Sequence, residues 1–268
     1  NTGDGLRLAQ SMGAKLWHMN AYSAGLDVRY PGYSTNVGAS IKGAGYIWVD
    51  QDGRRFANEL TDGHCQMYVA SQIDAVNHRY PRIPCYLVFD HATLRMGPLG
   101  SSLGSGWAIN REHYQWSRDN SAEIEKGVIV SAPTIKALAE KIGVPAENLE
   151  QTFRTWNENI KAGADKEFGR PLKKKGKIAF EGREAPVISE PFDEKGPYYA
   201  AKLFPTLLNT QGGPRRNEKG QVLNALGKPI PRLYSAGELG SMWGHIYQGA
   251  TNNSEACVFG RIAGRTVA

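Results

Sequence analysis

Cysteine is scarce in this 268-residue sequence: Cys65, Cys85 and Cys257 are widely spaced and odd in number, which fits neither a disulfide scaffold nor a zinc site. No metal is expected. Long hydrophobic runs are missing too; none approaches the roughly 18 residues that a membrane helix requires, so no membrane span is expected. Aromatic residues do not interleave with the basic run Arg170, Lys173, Lys174, Lys175 and Lys177, which therefore reads as a solvated loop and not as a nucleic-acid patch. Also missing are an initial methionine and a signal peptide. The chain opens on NTGDGLRLAQSMGAKL, already helix-like, which predicts a piece of a longer polypeptide and leaves the compartment open between cytoplasm and bacterial cell envelope.

What is present suits a globular chain, with 41% hydrophobic and 22% charged residues and length for one large domain or two ordinary ones. Asn1, Thr2 and Asp4 offer capping oxygens for a short helix over residues 4 to 12. GAGYIWVDQDGRRFANE predicts a hairpin, with a strand from Tyr46 to Asp50, a turn at Asp52-Gly53 and a return strand through Phe56. Residues 84 to 90 predict a buried strand and 97 to 107 a loop. Two helices follow, one closed by Gly143 and the next opened by Pro145 with Leu149, Phe153, Trp156 and Ile160 on one face. Residues 163 to 197 resemble a linker, and the text from Pro197 to Glu238 predicts a small β-meander.

The most informative stretch is YSAGELGSMWGHIYQGATNN at 234 to 253, a glycine-rich loop at the carboxyl end with no counterpart at the amino end. Asn252 is suited to cap a helix starting near residue 253, with Glu255 completing a capping box before Ala256, Val258, Phe259, Ile262 and Ala263. The amino end of that helix could stabilise a phosphate or the electron-rich edge of a reduced flavin. Glu238, just after Gly237, could accept hydrogen bonds from ribose or ribityl hydroxyls.

TGDGLRLAQSMGA, DGRRFANE, RLYSAGELGSMWG and ACVFGRIAG together resemble the flavoprotein family of soluble fumarate reductases, urocanate reductases and 3-ketosteroid dehydrogenases. The resemblance implies a mixed α+β or α/β architecture, in which a capping domain at 26–205 interrupts a split Rossmann-like FAD-binding domain, with segments 1–25 and 206–268 in this chain. The dinucleotide fingerprint would lie upstream. FAD is implied for the full-length protein, along with an upstream part of the same polypeptide and a small-molecule substrate; the electron donor stays open. Family chemistry passes a hydride between flavin N5 and one carbon of a C–C bond while an acid or base handles the neighbouring proton. Cofactor contacts are implied at Gly237, Glu238, Gly249, Asn252 and Asn253.

The family's cationic clamp for a dicarboxylate departs here. Its His-Thr-x-Gly-Gly becomes Asn209-Thr210-Gln211-Gly212-Gly213, its clamp arginine falls at Tyr247 or Gln248, and its acid arginine falls at Gly63 beside His64. Fumarate is thus an unfavourable substrate, and Tyr247 with His245 suggests neutral recognition of a carbonyl oxygen, as in the ketosteroid dehydrogenase branch. Tyr247, His245 and His64, with Tyr33, are the proton-transfer candidates, and Tyr247, Asn209 and Arg55 the substrate candidates. Arg55 has a competing role in bracing the hairpin with Glu59. Two alternatives stand beside the reductase or dehydrogenase reading: a non-catalytic capping fragment that binds no cofactor alone, and a flavoenzyme of a different chemistry.

Overall fold

A computed structural model of the chain describes residues 2–32, 36–39, 41–61, 64–100, 114–173, 187–244, 247 and 249–267. In chain order its elements are α1 (Asp4–Ser11), β1 (Leu16–Trp17), β2 (Tyr22–Val28), β3 (Tyr46–Val49), α2 (Gln66–Ala70), β4 (Cys85–Asp90), α3 (His91–Arg95), α4 (Ser121–Glu125), β5 (Ile129–Ala132), α5 (Ile135–Ile142), α6 (Ala146–Lys161), β6 (Tyr198–Thr210), β7 (Gly213–Pro214), β8 (Gln221–Leu223), β9 (Pro229–Tyr234) and α7 (Thr251–Val267). The architecture is mixed α and β. The chain divides into two compact units, one made of residues 1–25 with 207–268 and the other of 26–206.

The second unit is organised by the strand run β3-β4-β6, with β5 pairing β6; the β3–β4, β4–β6 and β5–β6 pairs are all antiparallel. β4 reads CYLVFD and is buried at every position because both of its faces are covered. Strand alternation sends Cys85, Leu87 and Phe89 to one core with Tyr46, Trp48 and Tyr199, and sends Tyr86 and Val88 to a second core with Leu138, Leu149 and Trp156 from α5 and α6. Those helices form where the sequence places their signals. Thr134 caps α5 by accepting the Ala137 N–H at 3.1 Å, Gly143 ends it at φ 77°, and Pro145 precedes α6.

Three sequence expectations are corrected here. The hairpin keeps its turn, where Asp50 Oδ1 accepts the N–H groups of Asp52 and Arg54, both at 3.0 Å, but its return side is the single bridge Val49↔Arg55, and β3 spends its edge on β4. The meander is dispersed: β6 joins the large sheet, β7 pairs with β1, and only β8 and β9 form a hairpin. The linker is in part core. Arg170, read as a member of a solvated basic run, is 1% exposed, and Asp165 is buried; Lys173 is exposed, while Lys174, Lys175 and Lys177 lie outside the described residues.

The first unit is thinner. α1 occupies Asp4–Ser11, close to its expected span, and packs near β7. α7 is 17 residues long, yet only Asn252 and Glu255 are buried along it, and Val258 is 55% exposed. Among the described residues no helix is long and apolar enough to cross a membrane.

Candidate functional site

Between β9 and α7 the chain forms the glycine-rich loop singled out above. Its glycines approach the chain itself. A Cβ on Gly240 would stand 2.1 Å from the Pro214 carbonyl oxygen, one on Gly213 would stand 2.4 Å from the Gly240 nitrogen, and one on Gly237 would meet the Ala256 methyl at 3.1 Å. The backbones are stitched together there, with Gly240 N–H donating to Gly212 O at 3.2 Å and Ser241 N–H to Gln211 O at 3.0 Å.

Side chains then fix the loop's carbonyl groups one after another. The Arg216 guanidinium donates to Gly237 O at 3.1 Å and Leu239 O at 3.0 Å; the Trp17 indole donates to Gly240 O at 3.1 Å; and His18 Nδ1 bonds Ser241 O at 2.8 Å. A carbonyl only accepts, so His18 carries its hydrogen on Nδ1. Arg216 also forms a buried ion pair with Glu255, whose carboxylate in turn accepts from Ser241 Oγ at 2.6 Å and Met242 N–H at 2.7 Å. Burial pulls the Arg216 pKa down, and Glu255 opposes that pull.

Arg216 was missed from sequence. The only sign of it was Glu255, the one acidic residue of α7.

The expected capping box does not form. Ser254 N–H donates to Ala250 O at 3.1 Å, so α7 begins at Thr251 and Asn252 lies inside its first turn, while Glu255 is turned to Arg216 and Ser241. Asn252 is 9% exposed, and its Oδ1 is buried without a partner among the described residues. An orphaned acceptor at the positive end of a helix is where a ligand donor would be satisfied. Asn253 and Gly249 are exposed nearby, and Gly237 is held by its carbonyl as described. Glu238 accepts the Thr210 N–H with one carboxylate oxygen at 3.1 Å; Asn209 Oδ1 accepts from Gln211 Nε2 at 2.6 Å. Tyr247 is 9% exposed. His245, Tyr33 and Gly63 lie outside the described residues. As acceptors, Asn252 Oδ1 and the Glu238 carboxylate fit a cofactor that presents hydroxyl and ring N–H donors.

Arg55 and His64 belong to the second unit. His64 is half-buried just ahead of α2. Arg55 has a fully buried side chain, and all five of its N–H donors are used: Nε on Glu59, Nη1 on Asp165 and Glu167, and Nη2 on Glu59 and Asp165, at 2.9 to 3.3 Å. Arg170 adds a second cation to Glu59 and donates to the carbonyls of Tyr46 and Ile188. Its guanidinium lies over the Tyr46 ring at 3.9 Å, and that of Arg55 lies over Trp156 at 4.6 Å. Burial alone would raise the Asp165 carboxyl, but Arg55 and the N–H groups of Arg170 and Glu167 reverse this and hold it below the ordinary carboxylate range. The network is closed, and Arg55 has no donor left for a substrate. Among the described residues no three His, Cys, Asp or Glu side chains are grouped to hold a metal.

Residues 1–254 match the model of the FAD binding domain family. The whole chain is 30% identical, over 286 aligned residues, to a 3-oxosteroid 1-dehydrogenase of Mycolicibacterium smegmatis, covering 46% of that protein. It is 28% identical over 269 residues to an NADH:fumarate oxidoreductase of Klebsiella pneumoniae, covering 24% of it. The crystal structure of 3-ketosteroid Δ1-dehydrogenase from Sterolibacterium denitrificans in complex with 1,4-androstadiene-3,17-dione superposes on all of this chain with a TM-score of 0.76 at 25% identity, using 46% of that structure. The chain therefore spans about half, or less, of the length of these relatives. With its match running almost from end to end, the chain belongs to the FAD-binding domain family of flavoproteins.

Proposed function

We propose that the full-length protein is an FAD-dependent oxidoreductase acting on an activated C–C bond beside a neutral carbonyl group, and not on a simple dicarboxylate. The observation that carries the substrate class is that each of the three buried arginines among the described residues, Arg55, Arg170 and Arg216, is already neutralised by a buried carboxylate. With their charges balanced in this way, these three offer no net cation to clamp a second anion, and an unneutralised dicarboxylate in a closed site is strongly unfavourable. The family match supports the flavin; among the relatives, the 3-oxosteroid and 3-ketosteroid dehydrogenases point to a carbonyl substrate and the NADH:fumarate oxidoreductase does not.

In this reading the unit of residues 1–25 and 207–268 forms one wall of a split, Rossmann-like flavin domain whose dinucleotide fingerprint lies in another part of the protein. Residues 26–206 form the cap over the substrate. FAD supplies hydride transfer. Glu238 accepts from ribityl or ribose hydroxyls, Asn252 Oδ1 accepts from the ring edge, and Gly237, Gly249 and Asn253 line the approach. Tyr247 donates its phenol hydrogen to the substrate carbonyl as charge develops there, with His245, Asn209 and His64 as further substrate or proton-transfer groups. The exposure of Val258 and Val267 on α7 is in keeping with a further segment of the protein packing there.

Tyr247→Phe in the full-length protein tests the assignment. The phenylalanine variant keeps its flavin content and loses about 10²-fold in kcat on a cyclic 3-ketone, as expected for removal of one oxyanion donor. Unchanged turnover would remove Tyr247 from the reaction.

A further inference from the structure

Arg216 and Glu255 lie 39 residues apart in sequence and meet in the interior of the first unit. Between them they tie the glycine-rich loop to α7. Arg216 takes the carbonyls of Gly237 and Leu239, which flank Glu238, and Glu255 takes Ser241 Oγ and Met242 N–H from inside the first turns of α7, three residues beyond Asn252. Arg216 also packs its guanidinium over the Phe259 ring of α7 at 4.7 Å. One ion pair thus sets the position of the Glu238 carboxylate relative to the unpartnered Asn252 Oδ1.

We infer that the Arg216–Glu255 pair is the positioning element of the flavin site, acting through the Ser235–Met242 loop without itself touching the cofactor. The inference rests on the flavoprotein reading above. A buried pair of this kind contributes little net stability compared with well-packed apolar residues, and its value lies in fixing one arrangement. Its loss should accordingly be felt in how FAD is held, beyond any general loosening of the fold.

The test is FAD titration of the full-length protein by fluorescence quenching, together with the visible flavin spectrum. Glu255→Gln leaves Arg216 buried without its counter-charge, and should raise the FAD dissociation constant by about tenfold and shift the flavin band. Ser241→Ala removes one donor to Glu255 and should weaken FAD by about threefold. Thr152→Val serves as the control: it deletes a matched buried hydroxyl bond in the second unit, Thr152 Oγ1 to Gly53 O at 2.9 Å. It should lower the melting temperature about as much as Ser241→Ala while leaving FAD affinity unchanged.

FAD affinities of Glu255→Gln and Ser241→Ala within about twofold of the parent protein would overturn the inference. If Glu255→Gln does not fold, the comparison of Ser241→Ala with Thr152→Val decides alone. A parent protein without flavin would overturn the functional reading, and the inference with it; a flavin-loaded parent with unaffected variants would overturn the inference alone.

Discussion

Arg55→Met will destabilise the second unit by about 3–5 kcal/mol, the cost of leaving buried carboxylates without their cation. Five donors are lost at once, and Glu59 and Asp165 are left with fully buried side chains. Glu59 keeps the Trp48 N–H at 3.1 Å and one Arg170 bond, and Asp165 keeps the N–H groups of Glu167 and Arg170, but a single guanidinium is then left for two buried carboxylates. Methionine fills the space against Trp156 and Phe168, so the loss is electrostatic rather than a cavity effect. Urea denaturation followed by tryptophan fluorescence reads the change. Arg54→Met, at the exposed neighbour, should stay within about 0.5 kcal/mol, and a change below about 1 kcal/mol for Arg55→Met would refute the closed network.

The same network fixes a pH dependence. Because the folded Asp165 pKa is depressed, its contribution is fully present above the ordinary carboxylate pKa of about 3.9 and is lost as pH falls through the depressed value. Arg55→Met removes the largest cause of that depression and moves acid unfolding to higher pH.

Gly240→Ala is the second large effect. Gly240 sits at φ 71°, a conformation that costs an alanine about 1–2 kcal/mol. Its new methyl would also fall 2.1 Å from Pro214 O, a backbone atom that cannot swing away. The glycine cannot retreat either, since its N–H is bonded to Gly212 O and its carbonyl to the Trp17 indole. The clash is therefore relieved by displacing the loop that carries Glu238. Gly127→Ala separates the two costs: at φ 69° with nothing within 4 Å of its Cβ, it pays the conformational cost alone. Thermal unfolding should show Gly240→Ala more damaging than Gly127→Ala, with loss of FAD from the full-length protein. Equal shifts for the two would show that the close approach of Gly213 and Gly240 is not a constraint.

Features governed by neighbours in sequence were legible. Gly143 and Pro145 mark the junction of α5 and α6, and the unbroken apolar text of CYLVFD marks β4. What escaped depends on partners far along the chain. Arg170 reads as part of a basic run until Glu59, 111 positions earlier, and the Tyr46 carbonyl enclose it. Glu255 reads as a capping-box acid because the local Asn-x-x-Glu spacing favours it, and Arg216 outbids that local bond with a charge. The meander failed because β7 finds β1, near the start of the chain, and β6 is drawn into the large sheet. In the candidate site, short signatures pointed to the loop and to Asn252, whereas the donors that fix the loop, Trp17, His18 and Arg216, carry no local mark of that duty.

The most direct test of the central claim is anaerobic reoxidation. The full-length protein, isolated with its flavin and reduced with dithionite, is mixed in a stopped-flow instrument with either a cyclic enone or fumarate, and the return of the oxidised flavin band is followed. Reoxidation by the enone, with fumarate slower by at least about 10²-fold, is the predicted result, because each buried arginine among the described residues already has its charge balanced by a carboxylate. Fumarate reoxidising the flavin as fast as the enone would contradict the account.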